Sequence, residues 1–254
     1  MKKVTYLLCS LLFIIFIVNT ASAQTMKKEA VQPFNDGLVK SQKGDYKDAV
    51  ADFEKALTFD KDYRIYYQLG FAQMKLNNSD EAIKNFEHSI KADPKFDASY
   101  NNLGNVYYSQ GKYQDAINNF QKVLTLSKDS AITSAVKFNL ALSYTGLANT
   151  AENQKSYKKA IGFLNKAVTY VDYDVAYLSL AKNYVLDSQY DKAIAAGLKA
   201  LKYKKNISET GPDYYIGVAY SQKNDMKKAK EYLNKAKEDP IYKNAAETVL
   251  KAIK

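Results

Sequence analysis

The chain has 254 residues, 46% apolar and 25% charged, with 10 glycines and only 4 prolines. That composition excludes a low-complexity or disordered polymer and supplies enough apolar side chains for a packed core. The formal net charge is +10, and one histidine and one cysteine exclude chemistry built on clusters of either.

The first 23 residues read as a secretory signal peptide. Lys2 and Lys3 give a cationic start, Tyr6 to Val18 is an apolar run of 13 residues, and Ala21-Ser22-Ala23 puts small residues where a signal peptidase reads them. The run is shorter than the roughly 20 apolar residues of a membrane span, so cleavage before Gln24 is expected; an uncleaved anchor is the alternative. Leu7 and Leu8 do not suit lipidation at Cys9, and there is no twin arginine, so general export to a bacterial periplasm or beyond is expected. Cleavage would remove the only cysteine and lower the charge to +8, leaving packing alone to stabilise the mature chain. Residues 24–29 form a short tail.

From residue 30 onward one pattern recurs. Leu69-Gly70, Ala82 and Phe86 return 34 residues later as Leu103-Gly104, Ala116 and Phe120. Six units follow, at about 30–62, 63–96, 97–130, 131–173, 174–206 and 207–240, closed by 241–254. With Gly104 counted as position 8, that position reads Gly37, Gly70, Gly104, Ala141, Ala181 and Gly217, and position 20 is alanine throughout, from Ala49 to Ala229. Positions 4, 7, 8 and 11 form one helical stripe and positions 17, 20, 24 and 27 a facing one, so each unit is a helix hairpin. Gly44, Asn77, Gly111 and Asn224, at position 15, suit a left-handed helix end. Asp45 with Asp48 and Asn78 with Glu81 have the spacing of a helix cap followed by an acid. The small residue at position 8 implies close helix approach, with Gly104 opposite alanines such as Ala116. In the closing segment Ile241, Ala245, Val249 and Ile253 share one face, which predicts a helix covering the open end of a stack.

The pattern resembles the tetratricopeptide repeat. Tyr66, Leu69, Gly70, Ala82, Phe86 and Pro94 match it in unit two, and Tyr100, Leu103, Gly104, Tyr107, Ala116 and Phe120 in unit three. Unit one departs from it, with Asp36 and Lys40 at core positions, and unit four carries an insertion. The resemblance implies an all-α fold, a right-handed superhelix of about six helix hairpins plus a C-terminal capping helix, forming one solenoid over residues 30–254. It also implies a non-enzymatic protein–protein interaction scaffold whose positions 2, 5, 9 and 12 face a concave groove. Those positions include Arg64, Tyr67, Phe71 and Met74 in unit two, Asn101, Asn105 and Tyr108 in unit three, and Phe138 in unit four. Asparagine amides beside rings suit an extended peptide; alternatively, the rings pack between neighbouring repeats. Phe34 and Leu38 stand where some members carry a lysine–asparagine clamp for chaperone C-termini, so that ligand is not implied.

The regularity breaks between Ala116 and Ala160, with three extra residues before Leu140 and seven in LANTAENQKS, read as an insertion in the loop between the two helices. The charge changes at the same place. Residues 24–154 hold 16 basic and 16 acidic side chains, whereas residues 155–254 hold 19 and 11. Position 19 runs Asp48, Glu81, Asp115, then Lys159, Lys192, Lys228, and position 26 ends in Lys166, Lys199 and Lys235. Lysine in the first turn opposes the helix dipole. These six lysines form a basic stripe that is either a solvated face of a lysine-rich protein or a surface for an acidic envelope partner. Gly197, with Ala193, Ala196 and Ala200, makes the second helix of unit five thin, through closer packing of its neighbours or a small pocket.

No phosphate-binding glycine motif, nucleic-acid motif or metal-ligand cluster occurs, and His88 falls at an exposed type of position. No catalytic residue, cofactor or metal is expected. A groove serving a small molecule or an enzyme is the contrasting class.

Overall fold

The computed structural model describes residues 25–253, so the signal-peptide reading of residues 1–23 lies outside them. All regular structure among the described residues is α-helical. The helices are α1 (Lys28–Lys43), α2 (Tyr46–Phe59), α3 (Tyr63–Lys75), α4 (Ser79–Ala92), α5 (Asp97–Ser109), α6 (Tyr113–Leu126) and α7 (Ser130–Asn153). They continue with α8 (Tyr157–Tyr170), α9 (Asp174–Leu186), α10 (Tyr190–Lys202), α11 (Thr210–Gln222), α12 (Met226–Ala236) and α13 (Lys243–Ala252). Consecutive helices pair into six hairpins, α1/α2 through α11/α12, and α13 packs against α12.

Every hairpin turns on one left-handed residue: Gly44 (φ 86°), Asn77 (62°), Gly111 (72°), Lys155 (55°), Ser188 (57°) and Asn224 (61°). The next residue's N–H then reaches back five residues to a carbonyl, as in Asp45 to Lys40 (3.0 Å), Lys112 to Tyr107 (2.9 Å) and Gln189 to Tyr184 (2.8 Å). This closes the orphan carbonyls of the first helix. Four of these residues follow the glycine and asparagine signal; Lys155 and Ser188 adopt the same conformation without it. The expected side-chain caps differ. Asp45 and Asn78 precede α2 and α4 but accept no backbone N–H there, whereas Asp225 in the equivalent turn before α12 accepts from Lys228. At the extended entries to α3 and α7, Asp62 accepts from Arg64 and Asp129 from Ala131 and Ile132.

Close approach within the hairpins of units one, two, three and six is a glycine against a ring or a branched chain; units four and five have Ala141 and Ala181 at that place. A Cβ on Gly37, Gly104 or Gly217 would lie 2.6, 2.7 or 2.7 Å from Phe53, Phe120 or Leu233, respectively. The residue opposite Gly104 is therefore Phe120, four residues beyond Ala116, since the ring at position 24 reaches over the first helix. In unit one, Lys40 at a core position is neutralised by Asp52 at 2.7 Å.

The insertion forms no loop. It lengthens α7 to 24 residues, with Ala148 and Ala151 buried as a continuation of the stripe from Tyr144. The extra turns carry Glu152 to α9, where it accepts from Asn183 (2.7 Å) and pairs with Lys182. The closing helix is also rotated from the expected face. It starts at Lys243, so Ala246, Val249, Leu250 and Ile253 pack inward while Ile241 is 79% exposed.

First helices touch from unit to unit, α1 to α3, α3 to α5, α7 to α9, α9 to α11 and α11 to α13; no pair of second helices makes a comparable contact among the described residues. The stack therefore curves with its first helices on the inside. Its largest apolar cluster runs from Ala116 on α6 to Ala219 on α11, flanked by separate clusters in α1–α3, α4–α5 and α12–α13.

Candidate functional site

The inner, concave surface divides at unit three. In unit two the expected groove residues are engaged in packing. Tyr67 lies against Phe86 and Phe96, with ring centroids 6.0 and 5.0 Å away, and its hydroxyl accepts from Asn102 (3.1 Å). Burial pushes that hydroxyl's pKa up. Phe71 sits edge-on to Tyr46 under the Lys75 ammonium, and Met74 packs against the cluster of Ala82, Phe86, Leu103 and Val106. Arg64 donates to both carboxylate oxygens of Asp62, at 2.8 and 2.6 Å, and lies over Tyr63.

Units three and four present their residues differently. Tyr108 is 36% exposed and backed by Tyr113 (5.6 Å), and Phe138 is 40% exposed and backed edge-on by Tyr173 (5.4 Å). Asn105 accepts from Asn139 (3.3 Å), which ties α5 to α7 within the same surface. The Oδ1 of Asn101 is buried without a partner among the described residues. Asn139, Tyr113 and Tyr173 were not legible as site residues. They lie off the 2-5-9-12 register and act through packing, Tyr113 between the two helices of unit three and Asn139 between units three and four.

On the outer side, each lysine of the basic stripe lies over an aromatic ring. Lys159 is 5.9 Å from Phe163, Lys166 is 5.6 Å from Tyr144, and Lys192 is 5.8 Å from Tyr184. Lys199 is 5.3 Å from Tyr177, Lys228 is 4.9 Å from Tyr220, and Lys235 is 5.0 Å from Tyr232. Ring quadrupoles favour a cation at such distances, which offsets lysine's poor placement near helix starts. Three of those rings, Tyr144, Tyr184 and Tyr220, occupy position 11, so the lattice follows from the repeat. In unit six the lysines also meet carboxylates: Lys228 is 3.3 Å from Asp225 and Lys235 is 3.6 Å from Glu231. Among the described residues, Lys159, Lys166, Lys192 and Lys199 have no such ion pair.

Between α8 and α10, over α9, lies a cleft of about 190 Å³ lined by Asn165, Val168, Leu180, Tyr184, Ala196, Lys192 and Lys199, among others. The thin fifth unit has two structural consequences. Gly197 admits Ile216 of α11, to which a Cβ would come within 2.5 Å, and Ala196 borders the cleft. No group of three or more His, Cys, Asp or Glu able to hold a metal occurs among the described residues. No described helix is long and apolar enough to cross a membrane.

Family models described as tetratricopeptide repeat match residues 98–130, 35–63 and 214–238, and one described as TPR repeat matches 74–111. The chain is 34% identical over 94 residues to small glutamine-rich tetratricopeptide repeat-containing protein 2 of Saccharomyces cerevisiae, covering 37% of this chain and 27% of that protein. It is 24% identical over 216 residues to the DnaJ homolog subfamily C member 7 homolog of Dictyostelium discoideum, covering 83% of this chain and 36% of that one. The matches thus span about a third or less of these relatives. Among solved structures, YrrB, described as a TPR protein with an unusual peptide-binding site, superposes with a TM-score of 0.52 at 20% identity, over 77% of this chain and 97% of that one. MamA does so with a TM-score of 0.52 at 22% identity, over 71% and 98%.

Proposed function

We propose, from the premise that this chain is a tetratricopeptide-repeat protein, that it is a non-enzymatic scaffold of the cell envelope holding an extended segment of another protein in its concave surface. The observation that carries this reading is the pair of exposed, ring-backed aromatics, Tyr108 and Phe138, on the inner stripe of consecutive units. Rings fixed from behind lose little freedom on binding and cover large apolar area, which suits them as anchors. The Asn105–Asn139 pair places amides beside them for a peptide backbone. Export with cleavage before Gln24 puts the scaffold outside the cytoplasm; a mature mass beginning at Gln24 tests that part.

The test of the groove uses a photocrosslinking residue at Tyr108 or Phe138, with Glu87 and Lys122 as outer controls, in the native envelope. One partner should crosslink at both inner positions and be lost on Asn105→Ala with Tyr108→Ala. Crosslinking of that partner equally at the outer controls would overturn the reading.

A second reading is favoured by the four stripe lysines without carboxylate partners: units four and five engage an acidic partner on the outer side.

A further inference from the structure

Units five and six use the same outer design with one difference. In unit six, Tyr220 of α11 is stacked by Tyr232 of α12, with centroids 5.9 Å apart and planes at 22°. In unit five, Tyr184 holds the place of Tyr220 and Lys192 that of Lys228, but Ala196 stands where Tyr232 would be. Unit four also has a ring there, Phe163 under Lys159. Units four and six therefore supply their own ring, and unit five leaves a cleft.

We infer that this cleft seats one aromatic side chain from an acidic segment of a partner protein. Three observations meet there. The volume, about 190 Å³, fits a ring, since a cavity of roughly 150 Å³ takes up benzene. The walls offer Tyr184 for stacking, its hydroxyl accepting from Asn165 (3.3 Å), and Leu180, Val168 and Ala196 for apolar contact. The rim is cationic: Lys192 and Lys199 stand two turns apart on α10, about 10 Å, with no ion-pair partner among the described residues. An extended segment covers that distance in about three residues, so an acid on each side of the ring meets a lysine. The nearby carboxylate of Asp172 is occupied by the Tyr177 hydroxyl, which donates to it at 2.7 Å. A single ring-sized cleft between two cations favours a protein segment over a lipid surface, which would need charge spread over a broad plane.

The inference rests on the reading of units four and five as an acid-binding face and adds the aromatic anchor. The test is fluorescence anisotropy with a labelled peptide Gly-Asp-Glu-Phe-Glu-Asp-Gly, its Phe→Ala counterpart, and phosphatidylglycerol vesicles. Wild-type protein should bind the Phe peptide roughly tenfold more tightly than the Ala peptide. Ala196→Tyr should rebuild the unit-six stack, melt no lower than wild type, and remove that preference. If both peptides bind alike and only K192D with K199D abolishes binding, the acidic-face reading stands and the cleft inference falls. If the lysine changes also have no effect, both fall. Absence of binding at about 1 mM peptide, or vesicle binding untouched by Ala196→Tyr with no peptide preference, overturns the inference as well.

Discussion

Gly104 on α5 meets the ring of Phe120 on α6 so closely that a Cβ would stand 2.7 Å from it. Gly104→Ala gains about 1 kcal/mol of helix propensity but forces the hairpin apart, a strain of about 1–3 kcal/mol. The variant should be destabilised in urea unfolding. Gly162→Ala on α8 is the control, with nothing within 4 Å of the added carbon. It should be neutral or stabilising by up to about 1 kcal/mol. Equal effects at the two sites would refute the packing explanation.

The hairpin turns give a second test. Lys155 and Ser188 hold the left-handed conformation that Gly44 and Gly111 hold freely. Lys155→Gly and Ser188→Gly should each raise stability by about 1 kcal/mol, and Gly111→Ala should lower it by a similar amount. The check is the shift in urea midpoint at constant slope.

Asp174 ties the segment after α10 to the start of α9. Its buried carboxylate accepts from the backbone of Lys205 (2.7 Å) and Asn206 (2.5 Å), the Asn206 amide (3.1 Å) and the Val175 N–H (3.0 Å). Burial alone would raise its pKa, but these donors outweigh it and hold the group below the ordinary carboxylate value. The carboxylate's contribution is therefore full above the unfolded value of about 3.9 and is lost as pH falls through the lower folded value. Asp174→Asn should cost about 1–3 kcal/mol at neutral pH and flatten the acid limb of the stability profile below about pH 4. An unchanged acid limb would assign that slope to other groups.

Deleting residues 241–254 removes Tyr242, stacked on Tyr214 at 5.3 Å, and the inward face of α13. Leu233, Ala236 and Val218 would then lie open. The truncated protein should self-associate in sedimentation, as repeat stacks without an end cap do. A monomer as stable as the full chain would show that α13 caps nothing.

The helix hairpins were legible because small residues recur at positions 8 and 20, and the glycine and asparagine turns because those residues tolerate positive φ. The turns at Lys155 and Ser188 were hidden because hydrogen-bond closure of the hairpin, rather than residue preference, imposes their conformation. The insertion in unit four looked like a loop by count, yet Ala148 and Ala151 continue a buried face and carry the helix onward. For the surfaces, register gave the stripes but not which side chains stay exposed. Tyr67 and Phe71 share their register with exposed rings, and only Phe96 at the end of the same unit, or Tyr46 of the preceding one, decides that they are used internally. The lysine stripe was visible as charge; four of the rings beneath it, Tyr144, Tyr177, Tyr184 and Tyr220, required the pairing of first and second helices.

The apolar interior is partitioned, with one body from α6 to α11 and lesser ones in α1–α3, α4–α5 and α12–α13. Such a chain loses its structure in instalments, because each part answers mainly to its neighbours. Amide exchange should be slowest around Leu140, Leu164 and Leu180, and quicker toward both ends. Tyr108 and Phe138 flank the boundary where the long-lived body begins. A ligand spanning them would tie a readily opening front portion to a durable rear one, and its arrival would be felt as slowed exchange in α3–α5, well away from the rings it touches.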